Sequence, residues 1–160
     1  MRFPPALYTL DLAQRALALV RPILEDLVEA RRLWEEALDR FALPPRQDWW
    51  DRTDPQVEEL SRTYERLEGF RRELESLGLC VLGEKRGEVG FPARLEGRLV
   101  LLSWRLGERG IQGWRPFRLS LGEKGPWYPL SESPACTAWI QDDWAGPGEE
   151  FPGDQDLPLL

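Results

Sequence analysis

The stretch SWRLGERGIQGW, residues 103–114, sets two tryptophans, two arginines, a glutamate and three glycines into twelve positions. Those residue types could do two kinds of chemistry. Glu108 could act as a general acid or base, provided a partner shifts its pKa. Trp104 and Trp114, with Arg105 and Arg115, could stack a base and hold a phosphate. Trp104, Arg105, Glu108, Trp114 and Arg115 are therefore the candidate ligand-binding set. A plainer reading needs no ligand: a tight turn in which Glu108 pairs with Arg105 or Arg109 and glycine supplies a positive φ. Leu-Gly-Glu followed by a basic residue also occurs at 82–85 and 121–124, where strands should end, which favours turn chemistry.

Other chemistries are excluded or weak. The chain has no histidine, so Ser-His-Asp and Cys-His nucleophile pairs, HExxH sites and Cys/His zinc sites are ruled out. LGEKRGEVG, residues 82–90, looks faintly like a phosphate loop, yet it lacks the lysine-serine or lysine-threonine ending and any strand-to-helix passage. GEE at 148–150 and DQD at 154–156 are too sparse to converge on a metal and read as solvated acidity. No cofactor or metal is expected. Cys80 and Cys136 make no disulfide framework, and a single bridge between them is possible but not favoured.

The net charge of −7 hides a segregation. Residues 1–84 carry 12 basic and 17 acidic groups, residues 85–118 carry 8 and 3, and residues 119–160 carry 1 and 8. The basic block comprises Lys85, Arg86, Arg94, Arg98, Arg105, Arg109, Arg115 and Arg118. These arginines could form an anion surface, or could pair with acids such as Glu58, Glu65 and Glu73. Strand alternation does not put Arg94, Arg98 and Arg105 on one guaranteed face. Overall acidity opposes tight nucleic-acid binding, which is not expected.

Hydrophobic spacing supplies the elements that must position these residues. Ala13, Leu17, Val20, Leu24, Leu27, Trp34, Leu38 and Phe41 recur at helical steps, with Thr9 as N-cap and a bend at Pro22. This predicts a helix over about 9–41, ended by ALPPRQDWW. Val57, Leu60, Tyr64, Leu67, Phe70, Leu74 and Leu77 predict a second helix over about 54–78, with Pro55 at its start and Gly78 as its stop. The two should lie antiparallel.

From 79 to 119 the period changes to two. LCVLG reads as a short strand, and GFPARLEGRLVLLSWRL as a β-hairpin turning at Glu96-Gly97. Val100, Leu102, Trp104 and Leu106 should share one face, with Ser103 and Arg105 on the other. Residues 111–114 then return. The last 40 residues hold six prolines, five glycines and eight acids, with Trp127, Tyr128, Trp139, Trp144 and Phe151 among them. A solvating tail has no need of those aromatics, so the expectation is an irregular arm that packs on its own domain or a neighbour.

Residues 87–118 resemble an uncharacterised bacterial family catalogued as domain of unknown function 2203. Its pattern reads G-x-V-D-F-P, a hairpin glycine, L-C-W-[KR]-x-G-E and W-H, after a helical hairpin. The matching residues here are Gly87, Val89, Phe91, Pro92, Gly97, Leu102, Trp104, Arg105, Gly107, Glu108 and Trp114. The resemblance covers about residues 7–118 and marks a divergent member. Where the pattern has aspartate, cysteine and histidine, this chain has Gly90, Ser103 and Arg115. Those are the types that bind metal or move protons. If relatives use them for chemistry, the resemblance implies a lost site; if they only pack a hairpin, nothing is lost.

The expected architecture is α+β: a long antiparallel helical hairpin and a three- to four-stranded antiparallel sheet in one domain, residues 1–120, then an acidic arm, residues 121–160. The expected protein is cytoplasmic and outside the membrane, since no apolar run approaches the roughly 20 residues a span needs. The expected function is a non-catalytic binding or assembly module, a homodimer through the helices, with the acidic arm laid on the basic sheet. The alternative is a small enzyme or an anion- or nucleic-acid-binding protein centred on residues 104–114.

Overall fold

A computed structural model of the chain describes residues 7–41, 55–117 and 125–134. Helix α1 spans Leu10–Arg40. Thr9 caps it from an extended conformation, its Oγ1 accepting from the Leu12 amide at 3.2 Å, and Asp11 sits in the first turn. The helix continues through Pro22, which lies on its exposed side. Helix α2 spans Pro55–Ser76. It ends in a Schellman turn: Gly78 takes φ 79°, the Leu79 amide donates to the Leu74 carbonyl, and the Gly78 amide to that of Glu75. The connection between the helices, ALPPRQDWW included, lies outside the described residues.

The helices are antiparallel, since contacts on α2 rise in number as those on α1 fall. Arg40 pairs with Glu59, and Trp34 packs on Tyr64 with ring centroids 5.9 Å apart. Arg31 and Arg71, further along, both hold Glu84.

Five antiparallel strands follow in the order β1-β2-β3-β4-β5: Cys80–Gly83, Glu88–Leu95, Arg98–Arg105, Gly113–Pro116 and Tyr128–Pro129. The β2–β3 hairpin turns at Glu96 and Gly97, whose φ values of 49° and 78° are the paired positive values of a type I′ turn. Its register aligns Val89 with Trp104, Phe91 with Leu102 and Ala93 with Val100. These six are buried in the core with Leu17, Leu24 and Leu27 of α1 and Leu67 and Leu74 of α2. Trp104 and Trp114 are wholly buried, and at ~200 Å² of apolar surface each that is worth about 5 kcal/mol per ring. Tyr8 bridges to Ala93 beside the free end of β2 and sets its ring edge-on to Phe91 at 5.1 Å.

The α+β class and the order of elements agree with the sequence reading, with three corrections. The sheet has five strands rather than three or four, because residues of the supposedly irregular arm add β5. Leu38 and Tyr64, expected on the buried stripes, are exposed, and Ile23, Ala30 and Ala37 are buried instead. Ala30 and Ala37 are small residues on the part of α1 that packs along α2. The basic block also finds other partners than Glu58, Glu65 or Glu73: Lys85 pairs with Glu35, Arg105 with Glu108 and Arg115 with Glu88.

Candidate functional site

Strand alternation sends the five candidate residues to two faces of the sheet. Trp104 and Trp114 point inward to the helices, while Arg105 and Arg115 point outward. Neither indole is open to a base. The Trp104 Nε1–H donates to the Glu108 carbonyl at 3.2 Å, and the Arg21 guanidinium lies 5.6 Å over its ring. Trp114 stacks on Tyr128 at 4.7 Å, and its Nε1–H donates to the Glu132 carbonyl at 3.0 Å.

Glu108 is consumed by its own turn. Its Oε2 accepts from the Arg105 amide at 3.0 Å, and its amide donates to the Arg105 carbonyl at 3.1 Å. Gly107, at φ 95°, makes the reversal possible. The Arg105 guanidinium stands 3.9 Å from the same carboxylate. The plainer reading of residues 103–114 is what the geometry realises. The first Leu-Gly-Glu segment is more than a wet turn, because Glu84 receives both Arg31 and Arg71. Hydrogen bonding from Arg71 is the largest cause that holds its carboxyl below the usual range, against the opposing effect of burial.

The basic block does not form one patch. Arg94 and Arg105 share the outer face, yet six residues of strand register, about 20 Å, separate their ends of the hairpin. Arg98 belongs to the other face, and Arg118 lies outside the described residues.

The outer face instead holds a buried polar cluster. Across β2, β3 and β4 the register lines up Gly90, Ser103 and Gly113, a row without large side chains. Glu88 and Arg115 reach over this shallow floor from opposite sides. The Arg115 Nε–H donates to Glu88 Oε1 at 2.9 Å, and the Ser103 hydroxyl donates to the same oxygen at 3.1 Å. The Glu88 and Arg115 side chains are only 7% and 18% exposed. Arg115 Nη1–H donates to the Gly125 carbonyl at 2.6 Å. A Cβ on Gly113 would overlap the Trp127 indole, which lies over that glycine.

Gly90, Ser103 and Arg115, the three departures from the family pattern, therefore occupy one place on the outer face. Sequence reasoning missed Glu88, the carboxylate that organises it. Its signal was a two-residue step from Gly90 on the same face of β2, hidden inside LGEKRGEVG. What this arrangement does chemically is bind: a buried, fully engaged ion pair clasps the backbone of residue 125.

Among the described residues no group of three or more histidine, cysteine, aspartate or glutamate side chains could hold a metal ion. Cys80 is half-buried, and its thiol is pushed up chiefly by burial and secondly by Glu75. Cys136, GEE and DQD lie outside the described residues. No described helix is long and apolar enough to cross a membrane.

The chain belongs to the family of uncharacterized conserved proteins designated domain of unknown function 2203, whose model matches residues 6–122. No similar protein was found among curated proteins, and no similar chain among solved structures.

Proposed function

We propose that this protein is a non-catalytic assembly module that self-associates through the N-terminal half of α1. One observation carries the reading: an apolar seam on α1 outruns the helix that covers it. Ile23, Ala30 and Ala37 are buried on that seam. The same line continues N-terminally at steps of three and four residues through Leu19, Ala16 and Leu12. There Leu19 is 56% and Leu12 52% exposed. The pairings Arg40–Glu59 and Trp34–Tyr64 put Ser76, the last residue of α2, opposite about residue 22. Residues 10–21 of α1 extend past it, a stretch of about 18 Å.

A second copy suits this stripe. A two-fold axis near Ala16 sets Leu12 of one helix against Leu19 of the other, with the two small Ala16 side chains at the crossing. Asp11 and Arg15 on the flank form an ion pair at 3.0 Å, so the approaching helices bring no net charge from that flank. An 18 Å stripe buries less than the roughly 800 Å² per partner of a standard interface, so the homodimer is weak and concentration-dependent. A cytoplasmic location belongs to the same reading, in keeping with two cysteines that make no disulfide framework. The small-enzyme and anion-site alternative draws no support from the geometry, since both indoles are buried and Glu108 closes its own turn.

Cross-linking at the two-fold tests this. Ala16→Cys, in a Cys80→Ala, Cys136→Ser background, should form a covalent dimer with a bis-maleimide of about 8 Å span, the distance between packed helix axes. Arg32→Cys, on an exposed side of the same helix, should not. Equal cross-linking of both would refute the pairing.

A further inference from the structure

The observations lead furthest at the edge of β4. Residues 125–134 lie along this edge as a strap: Tyr128 and Pro129 form a short strand, and a turn follows in which the Glu132 amide donates to the Pro129 carbonyl at 2.9 Å. Tyr128 and Pro129 pair with Trp114 and Gly113 in antiparallel register. The Leu130 amide donates to the Gln112 carbonyl at 3.0 Å. The Trp114 indole N–H and an Arg115 N–H take strap carbonyls, those of Glu132 and Gly125. Trp127 fills the notch over Gly113, and Tyr128 stacks on Trp114. Two of these donors are side chains that can donate to any backbone carbonyl, while the notch reads one aromatic ring. This is β-strand addition in which backbone bonds give affinity and a pocket gives selectivity.

Two further observations separate the groove from its occupant. The family match covers residues 6–122, so it contains Gly113, Trp114 and Arg115 but stops before the strap. The strap also uses the edge incompletely. β4 offers four residues, Gly113–Pro116, and β5 pairs with two of them. Trp127, although it fills the notch, is still 45% exposed.

We propose that the β4 edge is a docking groove for an extended, aromatic-anchored segment of a partner protein, and that residues 125–134 are a cis occupant which such a segment displaces. A foreign segment is favoured over the strap of a second copy by stoichiometry. Each copy carries one strap for its one groove, so exchange between copies gains no contact. A partner strand that continues along β4 adds contacts at Arg115 and at Pro116, where a carbonyl but no N–H is on offer. The Glu88–Arg115 pair is the groove's fixed wall: it holds the guanidinium where a strand carbonyl meets it, whichever chain supplies that carbonyl.

The test uses the full chain and a fluorescein-labelled peptide with the strap sequence, GPWYPLSESP, as probe. Trp127→Ala empties the notch without touching the groove. This variant should bind the peptide at least tenfold more tightly than the unaltered chain, in which the cis strap competes. A peptide carrying alanine for tryptophan should lose that gain. Equal binding to both proteins, or none to either, would overturn the proposal. So would a Trp127→Ala protein that binds the altered peptide as well. Sedimentation in a Leu12→Glu, Leu19→Glu background, which removes pairing through α1, should show a one-to-one complex; strand-exchanged dimers formed there without peptide would assign the groove to a second copy instead. If Trp127→Ala does not fold, amide exchange of the unaltered chain decides. The Leu130 amide should exchange at least a hundredfold faster than those of β2 and β3, through local opening of the strap. Equal rates would make the strap a permanent strand of the fold. None of these readouts depends on α1, so this proposal and self-association stand or fall separately.

Discussion

Replacing Arg115 by methionine keeps most of the side-chain stem and removes the charge that faces Glu88. The Glu88 carboxylate would remain only 7% exposed, with the Ser103 hydroxyl as a retained donor at 3.1 Å. Removing one partner from a buried ion pair costs about 3–5 kcal/mol, because the other charge stays desolvated. The 18% exposure of Arg115 and the retained Ser103 bond place this case near ~3 kcal/mol. With a urea m-value of ~2 kcal/mol/M, the unfolding midpoint should fall by about 1.5 M. Urea titration followed by tryptophan fluorescence measures it. The double variant Glu88→Met, Arg115→Met buries two apolar chains in place of two charges and should recover to within ~1 kcal/mol of the original. A single variant that loses less than ~0.5 kcal/mol, the range of ordinary surface changes, would refute the claim that the pair organises the outer face. A double variant whose loss is the sum of two large single losses would refute it too, since independent sites add.

Glu84 gives a pH dependence. Its folded-state carboxyl lies below the usual range, mainly through Arg71, so its contribution is present above the unfolded value of about 4.3 and is lost as pH falls through the folded value. Between about pH 5 and pH 3 the unaltered chain should therefore lose stability faster than Glu84→Gln, measured by thermal melting across that window. Cys80 should react slowly with a thiol reagent at pH 8 in a Cys136→Ser background, because burial raises its thiol, and its rate should rise to that of a free thiol in denaturant. Glu96 holds φ 49° without being glycine, so Glu96→Asn should stabilise the hairpin turn by up to ~1 kcal/mol in urea unfolding, the asparagine-glycine pair being preferred there.

How far the fold could be read from sequence depended on how local each feature is. Thr9, Gly78 and the Glu96-Gly97 turn were legible because a cap, a helix stop and a type I′ turn are decided within a few residues. The inward face of β3 was legible because strand alternation fixes it. Glu88 was not, because its meeting with Arg115, 27 residues away, requires the register of three strands. β5 was hidden by Pro129 and by Gly125 and Pro126 just before it, which lower strand propensity, while its placement comes from Trp114 and Gly113 on another strand. The exposure of Leu12 and Leu19 follows from where α2 ends relative to α1, and no periodicity within α1 reports that. Trp104, Arg105 and Trp114 were expected on strands and Glu108 in a turn, as found, although the returning strand is Gly113–Pro116 rather than 111–114. Which of these groups are already spent depended on hydrogen bonds that the sequence does not specify.

Sedimentation equilibrium of the full chain over a hundredfold range of concentration tests the central claim most directly. The account predicts a reversible monomer–dimer equilibrium that Leu12→Glu, Leu19→Glu abolishes while the melting temperature stays within a few degrees, since both side chains are exposed. A chain that remains monomeric throughout, or a dimer indifferent to those two substitutions, would contradict it.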